Sequence, residues 1–304
     1  SPLSVMARPH AAIITTVAEV HAENFDSLEQ IADAKAEIFD GLSTNSAVIL
    51  HQEHPLFARM EYHALQQGIQ RIITFGESDK SNVRLLNCDL TETESTVEAE
   101  IAGQHVCYAI GAPGKHLVMN SLAVLAAVDA IGVDVNLAAA ALIDIRALKG
   151  RGQRQEIFWQ GGSFVIIDES YNASPASMAA AISLLSMATP ARDGRRIAVM
   201  GDMLELGARS DELHVELVQP LINGGIDLVF TTGTCMASLW EQLPETMRGG
   251  YAATARNLAP LVMAAIGDGD VVMVKGSLSS HMAIVVDALE TLDNLPASRA
   301  VKGM

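Results

Sequence analysis

Basic residues are scarce in this chain. Its 304 residues hold 20 Lys and Arg against 36 Asp and Glu, a formal net charge of -16. A nucleic-acid backbone is thereby disfavoured as a partner, because such binding runs on Lys and Arg neutralising phosphates. Cysteine is nearly missing too: Cys88, Cys107 and Cys235 lie far apart, form no CxxC pair and leave an odd count. That suggests neither a disulfide framework nor a zinc site, and it fits a reducing compartment. The Ala-rich stretch 116–148 is broken by Asp129, Asp134, Asp144 and Arg146, so it is no membrane span. No charged-then-apolar leader precedes Ala11, and a cytoplasmic location is expected. What remains is apolar: 49% hydrophobic residues with only 18% charged ones, enough material for two domains with their own cores.

Strand-like and helix-like runs alternate from the start. Residues 11–17, 47–50 and 71–75 predict strands, with helices over 27–42 and 55–67 between them. Residues 82–110 lack helical period and predict a few strands, after which 116–131 and 136–148 predict two helices. The segment Lys149-Gly150-Arg151-Gly152-Gln153-Arg154 is short, basic and Gly-containing, the best candidate for a joint between domains 1–148 and 149–304. A second series follows it, with strands predicted at 164–167, 197–200, 228–231 and 271–274. Each precedes a helix candidate, the pattern of a doubly wound parallel sheet.

Chemistry concentrates where these later strands end. Asp168-Glu169-Ser170-Tyr171-Asn172-Ala173-Ser174-Pro175 sets acid, hydroxyl and amide groups between a buried strand and a helix start. Ser174 suits the cap and Pro175 the first turn. Gly201-Asp202, Thr232-Gly233 and Lys275-Gly276-Ser277 occupy the same place after their own strands. One such turn is ordinary loop composition. Four, in a parallel sheet, share one edge, which is where α/β proteins bind nucleotides and phosphorylated substrates.

The first half carries a different signal. On the helix predicted at 27–42 the apolar stripe is Leu28, Ile31, Ile38, Phe39 and Leu42, and Lys35 lies three, four or seven residues from each. Lys35 is therefore expected to face inward, where an ammonium must be paired, deprotonated or chemically modified; a snorkelling Lys on the rim is the plainer alternative. His21, near Glu19 and Glu23, follows a predicted strand and is a candidate metal ligand as well as an ordinary loop histidine.

Taken together, residues 34–39, the His21 segment, 168–175, 201–207 and 274–277 resemble the Mur ligases, over nearly the whole chain. Within that family Ser-Tyr-Asn-Ala and Gly-Asp-Met-x-Glu-Leu-Gly resemble the type that joins D-alanyl-D-alanine to UDP-N-acetylmuramoyl-tripeptide. The resemblance implies an α/β fold: the remainder of a P-loop-type ATPase central domain, then a Rossmann-like C-terminal domain. It implies ATP-driven amide synthesis through an acyl phosphate, with Mg2+. His21 would be a magnesium ligand and Lys35 a carbamylated lysine supporting the metal. A nucleotide patch at the domain junction would map onto His116, Asn120, Arg151, Asp168 and Asn172, with Asn120 toward adenine, Asp168 toward ribose and Arg151 toward phosphates. Ser170, Tyr171, Asp202, Lys275 and Ser277 would contact substrate.

Departures from the family pattern matter equally. No Gly-Lys-Ser or Gly-Lys-Thr loop is present: Gly114-Lys115 is followed by His116, and Ala109 stands where the loop's first Gly belongs. The chain is thus expected to be a fragment whose N-terminal domain and phosphate loop precede Ser1, and to be inactive alone. Leu117, Leu278 and Ala283 replace the family's usual Asn, Arg and Glu. A non-catalytic nucleotide- or peptide-binding module and a folylpolyglutamate-type ligase are the alternatives.

Overall fold

The computed structural model describes residues 2–18, 25, 27–159 and 162–294. The chain divides between Arg146 and Ala147 into two compact units. The division falls just ahead of the Lys149–Arg154 segment.

Unit one contains α1 (Pro2–Ala7), β1 (Ala11–Ile14), α2 (Leu28–Ala36), β2 (Ala47–His51), α3 (Phe57–Gln66), β3 (Arg71–Gly76), β4 (Val83–Leu90), β5 (Ser95–Ile101), β6 (Gln104–Ile110), α4 (Lys115–Ala130) and α5 (Val135–Ala141). Its sheet runs β1-β2-β3-β4-β5-β6, parallel through β4 and antiparallel from β4 to β6. Parallel strands buried on both faces read as unbroken apolar runs, and Ala47 to Leu50 is one. Ala47 and Ile49 pack on the α4 side, Val48 and Leu50 on the α2–α3 side. The antiparallel part instead alternates: Ser95, Val97, Ala99 and Ile101 are buried, Thr96, Glu98 and Glu100 exposed.

Unit two contains β7 (Gln153–Trp159), β8 (Gly162–Glu169), α6 (Pro175–Met187), β9 (Arg196–Gly201), α7 (Ser210–Val215), α8 (Val218–Asn223), β10 (Leu228–Thr232), α9 (Met236–Gln242), β11 (Arg248–Ala252), α10 (Ala255–Ala265), β12 (Val271–Lys275) and α11 (Ala283–Glu290). The sheet order is β11-β10-β9-β12-β8-β7, parallel except for the β7–β8 hairpin. Separate cores cover its two faces, one built on Met178, Ile182 and Met200, the other on Phe230, Val274 and Val285. The doubly wound α/β expectation is met. Two strands escaped sequence reading. β7 is a polar edge strand, and β11 holds Gly249 and Gly250, residues of low strand propensity that only pairing with β10 makes extended.

Three predicted elements are shorter than expected. β1 ends at Ile14, and the helix expected to 148 gives way at Leu142 to a 3-10 turn. The helix expected over 27–42 ends at Ala36 and tightens into a 3-10 segment, Glu37–Gly41. Among the described residues no helix is long and apolar enough to cross a membrane.

Candidate functional site

β8, β9, β10 and β12 run parallel, so their C-terminal ends share one edge of the second sheet. Lys275 lies beside Glu169 and Met200, and Thr232 beside Gly201. The four polar corners are therefore together, as the sequence pattern required.

What each side chain does there is more particular. Asp168 is buried at 4% exposure, and both its oxygens accept loop N–H groups: Oδ2 from Gly150 at 2.7 Å and Oδ1 from Ser170 at 3.0 Å. Its carbonyl accepts from Gly152 N–H at 2.8 Å, and Gly150 carbonyl accepts from Tyr171 N–H at 3.1 Å. The 150–152 loop is thus stitched onto the end of β8. Gly150 makes this possible: its φ is +77°, and a Cβ there would come 2.9 Å from that of Tyr171. The loop presents Arg151, exposed, with its guanidinium carbon 4.3 Å from the centroid of the half-exposed Tyr171 ring. Stacking holds the cation while leaving its N–H edges open. Asn172 is exposed; its Oδ1 accepts from Ala173 N–H at 2.8 Å. Ser170 is buried.

Lys275 and Ser277, read from sequence as substrate contacts, are both buried, at 2% and 6% exposure. Lys275 Nζ donates to Glu169 Oε2 at 3.2 Å and to the Asn172 carbonyl at 2.9 Å. Burial pushes its pKa down, and the Glu169 carboxylate opposes that shift. Ser277 Oγ accepts from Leu204 N–H at 2.9 Å, and its own N–H donates to the Asp202 carbonyl. Both residues brace the corners. His214, which sequence reading missed, does the same for the 201–207 loop: fully buried, it accepts Met203 N–H on Nε2 at 2.9 Å and meets Ser210 carbonyl through Nδ1 at 2.7 Å. This arrangement needs the proton on Nδ1. Only its spacing from Gly201-Asp202 could have hinted at it.

Between these corners and α10 opens a cavity of about 500 Å³, whose walls include Asp202, Thr232, Gly233, Thr254, Arg256 and His281. Asp202 is buried, its Oδ1 accepting from Met236 N–H at 2.8 Å. The Thr232 hydroxyl is buried with no hydrogen-bond partner among the described residues. A lost partner of that kind costs about 1–3 kcal/mol, so such a group is an exception that calls for a ligand or a water.

In unit one, His116 and Asn120 are exposed, one helical turn apart on α4. The loop before them is anchored by fully buried Ser95, whose Oγ accepts from Gly114 N–H and donates to Ala112 carbonyl. Gly114 has φ +127°, and a Cβ there would approach the His116 ring to 2.9 Å. Lys35 is a correction: it is exposed, not inward. The buried face of α2 is Ile31, Ala32 and Ala36, with Phe39 turned in by the 3-10 segment, while Ile38 is 36% exposed. Ala32 and Ala36 share the packed side with Ile31, Lys35 falls outside it, and the lysine stem carries its charge out to water. His21 lies outside the described residues. Among the described residues no group of three His, Cys, Asp or Glu could hold a metal.

Comparison with known proteins decides the family. The sequence pattern of the Mur ligase middle domain matches residues 1–128, and that of the Mur ligase glutamate ligase domain matches residues 153–278. The chain belongs to the Mur ligase family. A UDP-N-acetylmuramoyl-tripeptide--D-alanyl-D-alanine ligase of Rickettsia prowazekii is 30% identical over 287 residues, which is 94% of this chain and 62% of that protein. The like-named enzyme of Bacillus subtilis is 32% identical over 95% of this chain and 61% of its own length. This Mur ligase chain thus spans about three-fifths of the curated relatives it matches. Its fold is that of MurF from Acinetobacter baumannii, with a TM-score of 0.80 at 24% identity over 94% of this chain and 61% of that one. MurF of Thermotoga maritima, solved in complex with ADP, has a TM-score of 0.79 at 22% identity, covering 96% and 64%.

Proposed function

We propose that this chain serves an ATP-dependent amide ligase that joins D-alanyl-D-alanine to UDP-N-acetylmuramoyl-tripeptide in the cytoplasm, for peptidoglycan precursor synthesis. The tripeptide carboxylate attacks the γ-phosphorus of ATP and ADP leaves; the dipeptide amine then attacks the acyl phosphate, and phosphate leaves as the amide forms. Charge builds on phosphoryl oxygens, so fixed cations and N–H donors lower the barrier.

The observation that carries this reading is the Arg151 loop. Asp168 holds the loop through Oδ2 on Gly150 N–H while Oδ1 closes its own turn on Ser170 N–H, and the loop offers an extended guanidinium, which suits a nucleotide phosphate. In this reading Asp168 is a positioning residue for Arg151 more than a ribose ligand. His116 and Asn120 are proposed for the nucleotide as exposed polar groups on an anchored helix start, and Asn172 and Tyr171 as its neighbours beside Arg151. Asp202 is proposed for the acceptor, since it lines the cavity; Ser170, Lys275 and Ser277 support the corners. Mg2+ is proposed for the reaction from the family resemblance; the described residues assemble no cage for it, and Lys35 is exposed.

The test uses the full product of the gene. Arg151→Ala should raise KM for ATP about tenfold or more, the loss of one charge-assisted phosphate contact, while KM for the dipeptide moves little. Unchanged ATP kinetics would remove the reading's main support. A full product that binds ADP yet forms no amide would favour a binding module instead.

A further inference from the structure

We propose that Arg256 selects the acceptor by its free terminal carboxylate, holding that group in the cavity beyond β9 and β10. The inference rests on the ligase reading, which requires only that the acceptor's amine be acylated and leaves its other end without a partner. Four observations converge on this residue.

The cavity's volume, about 500 Å³, lies in the range of small-molecule sites. Among the described residues its charged walls are Asp202 and Arg256, with His281 beside them. Opposed charges suit a dipolar ligand, with an amine at one end and a carboxylate at the other, and a purely anionic one would meet the Asp202 carboxylate. Arg256 is the second residue of the eleven-residue helix α10, so its guanidinium and the free N–H groups of that first turn come from the same place. It is exposed and makes no ion pair among the described residues. Finally, Thr232 stands in the same wall with its hydroxyl buried and without a partner among the described residues. This last point is independent of the helix terminus and asks for a hydrogen-bonding ligand. A guanidinium stays charged at every working pH and can grip a carboxylate through two N–H groups, so selection for the acid would persist across the enzyme's pH range.

The experiment titrates D-alanyl-D-alanine and its C-terminal amide into the 304-residue protein and into Arg256→Ala, following backbone amide NMR shifts. In the wild type the acid should perturb Gly233, Thr234 and Arg256 and bind at least about tenfold tighter than the amide. Arg256→Ala should abolish that preference by weakening the acid alone, and Arg256→Lys should restore part of it. Since Arg256 is exposed, the variants should melt with the wild type. The proposal is overturned if acid and amide bind the wild type equally, if Arg256→Ala keeps the preference, if the shifted amides lie away from the cavity, or if the acid does not bind. Failure of the ligase reading is separate: it would appear as a full gene product that forms no amide bond from ATP, tripeptide and dipeptide, whatever the titration shows.

Discussion

Asp33 shows how far a single side chain can be settled by its neighbours. It sits on α2, and Arg59 of α3 grips it through Nε at 2.6 Å and Nη2 at 2.7 Å, while His63 approaches at 2.7 Å. The Arg59 hydrogen bonds, aided by His63 and opposed by partial burial, hold its carboxyl at about 2 against an ordinary 3.8. A depressed carboxyl stabilises the fold fully above its unfolded value, and that stability is lost as pH falls from about 4 toward 2. The side chains of Asp33 and Arg59 are 37% and 43% exposed, so solvent screening reduces the contribution to on the order of 0.5 kcal/mol. Urea unfolding of Asp33→Asn should therefore lose little at neutral pH and show a flatter decline between pH 4 and 2 than the wild type; matching declines would show the pair to be thermodynamically silent. Two residues on, exposed Lys35 has no such set of partners among the described residues, and its spacing alone misassigned it. A helical wheel counts large apolar residues, whereas α2 packs through Ala32 and Ala36 as well as Ile31.

At the scale of elements, helix starts were the most legible feature. Ser174 and Pro175 predicted the beginning of α6, and the structure has a full capping box: Ser177 N–H donates to Ser174 Oγ, and Ser174 N–H donates to Ser177 Oγ. Ser174→Ala should destabilise unit two by about 1 kcal/mol, read from denaturant unfolding, because it strips one side of that reciprocal pair; no change would mean that the backbone alone closes the helix. Helix ends were less legible. Nothing in residues 36–41 announces the switch from α to 3-10 geometry, since hydrogen-bond register is decided by how Phe39 reaches the core. The edge strands of the second sheet were hardest: β7 and β11 lack the apolar run that its central strands carry, and only one flank of each is paired.

For the molecule as a whole, the 304 residues include no Gly-Lys-Ser or Gly-Lys-Thr loop to cradle β- and γ-phosphates. The purified chain should accordingly hydrolyse ATP no faster than buffer, and magnesium-dependent turnover that persists through purification and tracks the protein would refute this. The order of βα units and the gathering of Asp168, Asp202, Thr232 and Lys275 on one edge were determined by sequence alone, because strand period, turn residues and the handedness of parallel crossovers are local or general rules. Tertiary structure decided which of those polar groups face solvent. Asp168, Lys275 and Ser277 turned inward to satisfy loop amides and a carboxylate, and Arg151 and Arg256 were left outside with N–H groups to offer. The physical reason is that a buried polar atom must find its partner in space, and the residues that supply those partners, Gly150, Glu169 and Leu204, are brought within reach only when the chain has folded.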